Sequence, residues 1–390
     1  MVSILDHAKV IIPTAVISST YVLVDDGRIV YVGPIVDAPP AEGERFDLAG
    51  RILAPGFIDI HVHGGMGITF GNLESLADDL LAYSAWVAQT GVTGFLCSIA
   101  APDRETLLET VTAYADILDA GDFPGAIPLG LHLEGPYLNP EKKGAFNVAW
   151  LREPALDEVR ALLDAGRGWI RQMTLAPELP LARDVAALLR ESGVVAAMGH
   201  TNLDYAAASD ALRGDFTHVT HTFNAQRGFH HREPGVFGAV LASDAVSAEL
   251  IADTIHVHPG AMKVMLRCLG ADRMVLVTDA MAAAGLGDGL YHLTGHEVIV
   301  EGGVARQPNG TIAGSTTTLD QCVRNMHQKV GVSLVDAISM ASYNPAQAMG
   351  LSESLGSLEV GKDANLVVLD EELNVKLTLV KGNAVFRDAM

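Results

Sequence analysis

Phe57-Ile58-Asp59-Ile60-His61-Val62-His63 is a short β-type run that ends in two imidazoles one residue apart. Side chains alternate along a strand, so His61 and His63 project to one face while Val62 points to the other. Further apolar, largely β-type segments follow: Thr93–Ile99, Ile127–Glu134, Ile170–Pro177, Val194–His200, His218–Asn224, Ala248–Val257 and Arg273–Asp279. With Phe57–His63 they make eight, the number that closes an α/β fold of the TIM-type (β/α)₈ barrel class. Helical stretches at Leu73–Gln89, Arg104–Ala120, Ala155–Ala165, Leu181–Ser192 and Pro259–Leu269 are long enough to serve as crossovers. The link Phe229–Ser247 shows the weakest helical pattern, and the Gly-rich stretch Ala282–Gly314 reads as hairpins over the mouth. Two helices, Leu319–Val330 and Ser333–Met349, complete the middle of the chain.

The flanks have a different character. Thr20–Asp25, Asp26-Gly27 and Arg28–Val32 form a hairpin pattern with an Asp-Gly turn, and strand-and-turn sequence returns from Gly356 onward. Two flanks of like character predict one small β-sandwich domain from residues 1–54 plus 355–390, enclosing a barrel at 55–354.

Composition sets bounds on function. A chain of 390 residues with 49% hydrophobic residues is ample for one large core. The 26 Lys and Arg against 47 Asp and Glu give a formal net charge of −21, which argues against a nucleic-acid footprint and requires any anionic ligand to meet a local basic pocket. The widely spaced Cys97, Cys268 and Cys322 suggest neither a disulfide framework nor a Cys-rich zinc module and suit a reducing cytoplasm. Met1–Val10 lacks the basic-then-apolar pattern of a secretory signal, and no apolar run approaches the roughly 20 residues of a membrane span. A soluble cytoplasmic protein with no membrane partner is expected.

The polar residues on the eight segments carry the chemistry. His61 and His63 end the first, Glu134 the third, His200 the fifth, His221 and Asn224 the sixth, His256 the seventh and Asp279 the eighth. Parallel barrel strands bring all these ends to one mouth. A lone His is more often a hydrogen-bonded core residue than a ligand, but six such groups in one register point to metal. Imidazole and carboxylate suit zinc, iron and related divalent ions, and this set furnishes one site fully or two sites sharing a carboxylate. The expected division is Glu134, His200 and His221 at one ion, with His61, His63 and Asp279 available to a second. A divalent ion acidifies bound water and polarises an amide carbonyl. Asp279 is placed to take a proton from that water and return it to a leaving amine. In the loop Asn224–Gly235, Arg232 together with His256 could meet a phosphate. Glu141-Lys142-Lys143-Gly144, by contrast, reads as a wet surface turn.

These stretches resemble the amidohydrolase superfamily and, within it, the N-acetylglucosamine-6-phosphate deacetylases, over nearly the whole chain. The resemblance is carried by Ala54-Pro55-Gly56-Phe57 through Gly65, Leu131-His132-Leu133-Glu134-Gly135-Pro136-Tyr137, Thr174-Leu175-Ala176-Pro177-Glu178, Gly199-His200-Thr201, His221-Thr222-Phe223-Asn224-Ala225, Arg232-Glu233-Pro234-Gly235, Ala252-Asp253-Thr254-Ile255-His256-Val257, Val277-Thr278-Asp279-Ala280 and Gly314-Ser315. Gly361-Lys362-Asp363-Ala364-Asn365-Leu366 resembles the returning strand of the superfamily's β domain. The resemblance implies Glu134, His200 and His221 as the shared metal ligands and Asp279 as the proton shuttle. It also implies Asn224, Ala225, Arg232, His256 and Ala145 as the positions that hold an amino-sugar phosphate. The arginine is expected from a neighbouring subunit, which implies a homodimer. Some members replace His-x-His by Gln-x-Asn and use one metal, so His61 and His63 favour two ions here. Several members place a His after the Lys-Lys-Gly turn; Phe146 stands there in this chain and leaves metal as the electrophile. Three other readings compete: the galactosamine epimer as substrate, another amide or imide, and a sugar-phosphate-binding barrel without catalysis.

Overall fold

The computed structural model describes residues 2–388. Its centre is a parallel barrel with strands one to eight at Phe57–Val62, Val92–Ile99, Ile127–Glu134, Ile170–Leu175, Val195–Met198, His218–Val219, Ser247–Ile251 and Met274–Val277. Each strand pairs in parallel with the next, for example Leu133 with Met173 and Leu250 with Leu276. The ring closes at the seam between strands one and eight. There the Asp279 amide donates to the His61 carbonyl at 2.9 Å and the His63 amide to the Ala280 carbonyl at 2.8 Å. Below these bonds the buried Asp59 carboxylate accepts from the Thr278 hydroxyl at 2.6 Å and from the Thr278 amide at 3.3 Å. Burial pushes the Asp59 carboxyl up to about 7, against the lowering effect of those bonds.

The strands are buried on both faces and so read as continuous apolar runs, as parallel sheets require. The helix Arg104–Ala120 shows how the crossovers are specified. Leu107, Val111, Tyr114 and Leu118 recur on its buried face, Asp103 caps it by accepting from the Thr106 amide, and Gly121 at φ 70° ends it. Removing such a cap costs about 1 kcal/mol. The link from strand six to seven does carry a helix, Gly235–Leu241. Another, Tyr205–Arg213 with Asp204 as its cap, fills the crossover from five to six.

The expected strands five to eight overran. They stop at Met198, Val219, Ile251 and Val277, and past the fifth, sixth and eighth the chain turns at once into left-handed backbone at the mouth: φ is 48° at His200, 24° at His221 and 48° at Asp279. A ladder cannot continue through such residues.

The Gly-rich excursion forms an antiparallel three-stranded sheet, Gly289–Leu293, His296–Glu301 and Val304–Arg306. Leu293, Val298, Val300 and Ala305 pack with Met281, Ala283 and Ala313 into a small core that seats it over the mouth. The last helices fall at Leu319–Asn325, continued as one wide turn through Val330, then Leu334–Met340 and Tyr343–Ala348.

Both flanks of the chain meet in one eight-stranded sheet. Ile52–Pro55 lies between Ser3–Ile12 and the antiparallel Leu366–Leu369, with Leu53 opposite Val368. Val22, Val24 and Ile29 from one arm share a core with Leu366, Val368 and Leu379 from the other. The arms join where the Ala364 amide donates to the Gly27 carbonyl at 2.8 Å. Asp26 and Gly27, at φ 45° and 76°, form the tight turn that the Asp-Gly pair predicts. Among the described residues no helix is long and apolar enough to cross a membrane.

Candidate active site

Six side chains converge at the barrel mouth. His61 lies in strand one, His63 just past its end, and Glu134 is the last residue of strand three. His200, His221 and Asp279 follow strands five, six and eight by two residues each, on the left-handed backbone that turns their side chains inward. Their donor atoms form two groups, Glu134 with His200 and His221, and His61 with His63 and Asp279; within each group these atoms lie no more than 4.8 Å apart.

Glu134 belongs to both. Its Oε1 is 3.1 Å from Nε2 of His200, 3.1 Å from Nε2 of His221 and 3.5 Å from Nε2 of His61, while Oε2 is 3.1 Å from Nε2 of His63. Asp279 Oδ1 lies 3.2 Å from Nε2 of His63 and 3.6 Å from Nε2 of His61.

The tautomers follow from what surrounds the rings. His200 Nδ1 donates to the Lys142 carbonyl at 2.8 Å, and His61 Nδ1 donates to Glu249 at 2.8 Å. Both partners only accept, so in each neutral ring Nε2 presents a lone pair. His200 Nε2 then faces the Glu134 oxygen, and also His221 Nε2 at 3.0 Å. Acceptor against acceptor at such distances is reconciled by a cation. Burial holds His200 below its ordinary range, so an imidazolium is disfavoured there. His61 Nε2 and His221 Nδ1 are buried without a hydrogen-bond partner. Nitrogen and carboxylate donors in this arrangement fit one or two divalent ions, the second sharing Glu134.

The electrostatics agree. Without an ion those rings would have to carry protons instead: burial alone would raise Glu134, and only charge on His61 with N–H bonds from His200 and His221 holds it well below the usual carboxylate range. Asp279 is likewise lowered, with burial outweighed by His61 and His63. The demand is reciprocal: burial would lower His63, but Asp279 and Glu134 push it up to about 9. The site is built to hold positive charge among buried carboxylates.

Beneath it lies a polar layer that sequence reading did not single out. Glu249, fully buried, accepts from His61, Gln172, His218 and the His221 amide. His132 sits between Ser98 and Thr174. The available signal was a charged residue in the middle of an otherwise buried strand, Ser247-Ala248-Glu249-Leu250-Ile251. The Lys142-Lys143-Gly144 turn also differs from expectation. It is a support of the site, since the Lys142 carbonyl fixes His200 and Lys143 Nζ donates to the carbonyls of Gly144 and Phe146. Gly144 has φ 57°, and a Cβ there would stand 3.1 Å from His200 Cε1.

A cavity of about 170 Å³ opens above the two groups. Ala145, Phe146, Asn224, Ala225 and His256 line it, together with Leu293, Thr294, Thr311 and Ile312 from the hairpin region. The Ala145 carbonyl accepts from Thr294 at 2.9 Å and from Gln307 at 2.6 Å, which ties this wall to the hairpins. Phe146 is buried with its ring edge-on to His200, 5.3 Å between centroids. His256 donates through Nδ1 to Asp253 at 2.7 Å; burial opposes its charge, but Asp253 raises it above its ordinary value. Arg232 stands apart, exposed on its turn and bonded to His231 at 2.8 Å. Among the described residues lining the cavity there is neither Lys nor Arg. Of the two residues expected from sequence to meet a phosphate, His256 lines this cavity and Arg232 of the same chain does not.

The amidohydrolase family, taken as a sequence profile, matches residues 52–385. The N-acetylglucosamine-6-phosphate deacetylase of Bacillus subtilis is 35% identical over 95% of this chain and 94% of its own length. The N-acetylgalactosamine-6-phosphate deacetylase of Escherichia coli O157:H7 is 38% identical over 92% of each. Among solved structures, a mutant N-acetyl-D-glucosamine-6-phosphate deacetylase from Mycobacterium smegmatis, in complex with N-acetyl-D-glucosamine-6-phosphate, superimposes with a TM-score of 0.91 at 36% identity, covering 99% of each chain. With profile, sequence and structure matched almost end to end, the chain belongs to the amidohydrolase family and, within it, to the group that these amino-sugar-phosphate deacetylases make up.

Proposed function

We propose that the protein hydrolyses the N-acetyl group of N-acetylglucosamine 6-phosphate, giving glucosamine 6-phosphate and acetate. The observation that carries this reading is the pair of buried side-chain groups sharing Glu134 at the floor of a cavity of about 170 Å³, in a chain whose relatives bear that activity in their names. Glu134, His200 and His221 are assigned to one divalent ion, and His61, His63 and Asp279 to a second, zinc or iron being the favoured identities. The ions supply Lewis-acid polarisation of the amide carbonyl and acidification of the attacking water.

The chain's own residues do the rest. Asp279 pairs with His63 and His61 through Oδ1, which leaves Oδ2 for the proton of the water. It returns that proton to the nitrogen as the C–N bond breaks, so the first products are the neutral amine and acetic acid, which carries the new C–O bond; the acid's remaining proton then passes to the amine or to solvent, leaving acetate. Asn224, Ala225, Ala145 and His256 are assigned to the sugar phosphate, and Phe146 closes the cavity wall beside His200. A protonated His256, held by Asp253, meets the phosphate. The outward Arg232 completes that pocket from a second subunit, which makes the functional unit a homodimer. The cytoplasm is the assigned compartment, where Cys97, Cys268 and Cys322 stay free.

The second reading, N-acetylgalactosamine 6-phosphate as substrate, is favoured by the 38% identical Escherichia coli relative. Acetate release by the purified protein from both epimers, from unphosphorylated N-acetylglucosamine and after chelation tests the assignment. Metal-dependent turnover of the glucosamine derivative above the others is expected. Faster turnover of the galactosamine epimer would reassign the substrate, and inactivity on both with metal restored would remove the deacetylase reading.

A further inference from the structure

We propose that Glu249 is a positioning residue that couples the two halves of the metal centre and secures the His61, His63 and Asp279 half. The inference rests on the metal-centre reading above. Glu249 lies in strand seven, below the mouth, and is fully buried. Its Oε2 accepts from His61 Nδ1 at 2.8 Å and from the His221 amide at 2.9 Å. One oxygen therefore touches a ligand of each group, one through its ring and the other through its backbone. Oε1 is anchored by Gln172 Nε2 at 2.9 Å and His218 Nε2 at 3.1 Å. Four donors saturate the carboxylate, and its orientation is fixed.

Two consequences follow. The bond to His61 keeps the proton on Nδ1, so Nε2 offers its lone pair toward Glu134 and Asp279, and this is the buried nitrogen that lacks a hydrogen-bond partner. The bond to the His221 amide supports a backbone at φ 24°, a conformation that needs external support. His221 has further ties through the Glu134 group, whereas His61 depends on Glu249 for its tautomer. The loss should therefore fall unevenly, on the second ion.

The test is metal content and affinity, using the full-length protein reconstituted with Zn²⁺ and a chromophoric chelator as competitor. Two ions per chain are expected for the wild type. Glu249→Gln keeps the shape but replaces one accepting oxygen by N–H donors. It should hold the first ion and bind the second about 10–100-fold more weakly, the usual cost of a lost supporting partner. Glu249→Asp, which keeps the charge one methylene short, serves if the Gln variant does not fold, and should weaken the same ion. The double variant His61→Ala with Glu249→Gln should bind the second ion no more weakly than His61→Ala alone, because both act through one imidazole. Wild-type binding of a single ion, undiminished second-site affinity in the folded variants, equal loss of both ions, or additive effects in the double variant would each overturn the proposal. These measurements use no substrate, so a failure of the deacetylase assignment, seen as a metal-loaded wild type that releases no acetate, is read separately.

Discussion

The Glu134, His200 and His221 group joins one strand end to two turns, whereas the His61, His63 and Asp279 group straddles the seam that closes the barrel. In the first, two of three side chains sit on left-handed backbone, and His200 is held by a main-chain carbonyl of the Lys142 turn. In the second, the two imidazoles keep strand periodicity, and the ring of His61 is held by a buried carboxylate. The lesson is that one centre has two kinds of support: loops that must be locked from outside, and a strand that must be locked from below.

The largest test of this division is Asp279→Asn. The amide cannot shuttle a proton, so kcat should fall by about 10²–10⁴-fold, while the ion at Glu134, His200 and His221 stays bound. A rate near wild type would move proton transfer away from the seam. Next come His200→Ala and His61→Ala, compared by metal analysis. Each should cost the ion of its own group first, and His61→Ala should slow turnover more than Phe146→Ala does. Equal metal content and an undiminished rate in the His61 variant would leave the seam without a working ion.

Gly144→Ala probes the outside lock. It forces a side chain into left-handed backbone beside His200 at a cost of about 1–2 kcal/mol, and should lower Tm and loosen the His200 ion with little effect on the His61 group. The smallest effect concerns the cavity rim. Asp253 raises His256 above its ordinary 6.5, so the charged pair contributes fully below that value and is lost as pH rises through the raised one. KM for the phosphorylated sugar should therefore climb over that window. Asp253→Asn should move the climb to lower pH, and an unchanged pH profile would separate His256 from the phosphate.

The unequal legibility of the centre follows from the same division. His61-Val62-His63 is readable because two polar residues at strand spacing break an apolar run. His200, His221 and Asp279 are recognisable as ligand types, but their backbone is not: continued strands were expected where the chain turns left-handed. No local pattern announces that a residue will leave the ladder, since the turn is imposed by barrel closure and by the contacts waiting beyond it. Glu249 was overlooked because a single carboxylate in a strand shows neither spacing nor motif, and its partners come from strands one, four and six. Lys142 acts through its carbonyl, which its side chain does not report. The barrel itself was legible because eight buried runs and their crossovers are local, periodic features. The flanking sheet was legible as strands, but its roll into one continuous layer depends on pairings across the whole chain.

Those pairings set an order of assembly. Ile52–Pro55 leads through a single glycine into strand one, yet its partner Leu366–Leu369 lies more than 300 residues on, Leu53 being matched with Val368. At about 5–20 residues per second, a ribosome needs roughly 15–60 s to span that interval. The Glu134, His200 and His221 group has all its members by residue 221, whereas the seam waits for Asp279 and the pairing of Ile52–Pro55 waits longer still. A nascent chain thus acquires the Glu134, His200 and His221 group first, and the strand that feeds into strand one gains its second neighbour only near the end of synthesis.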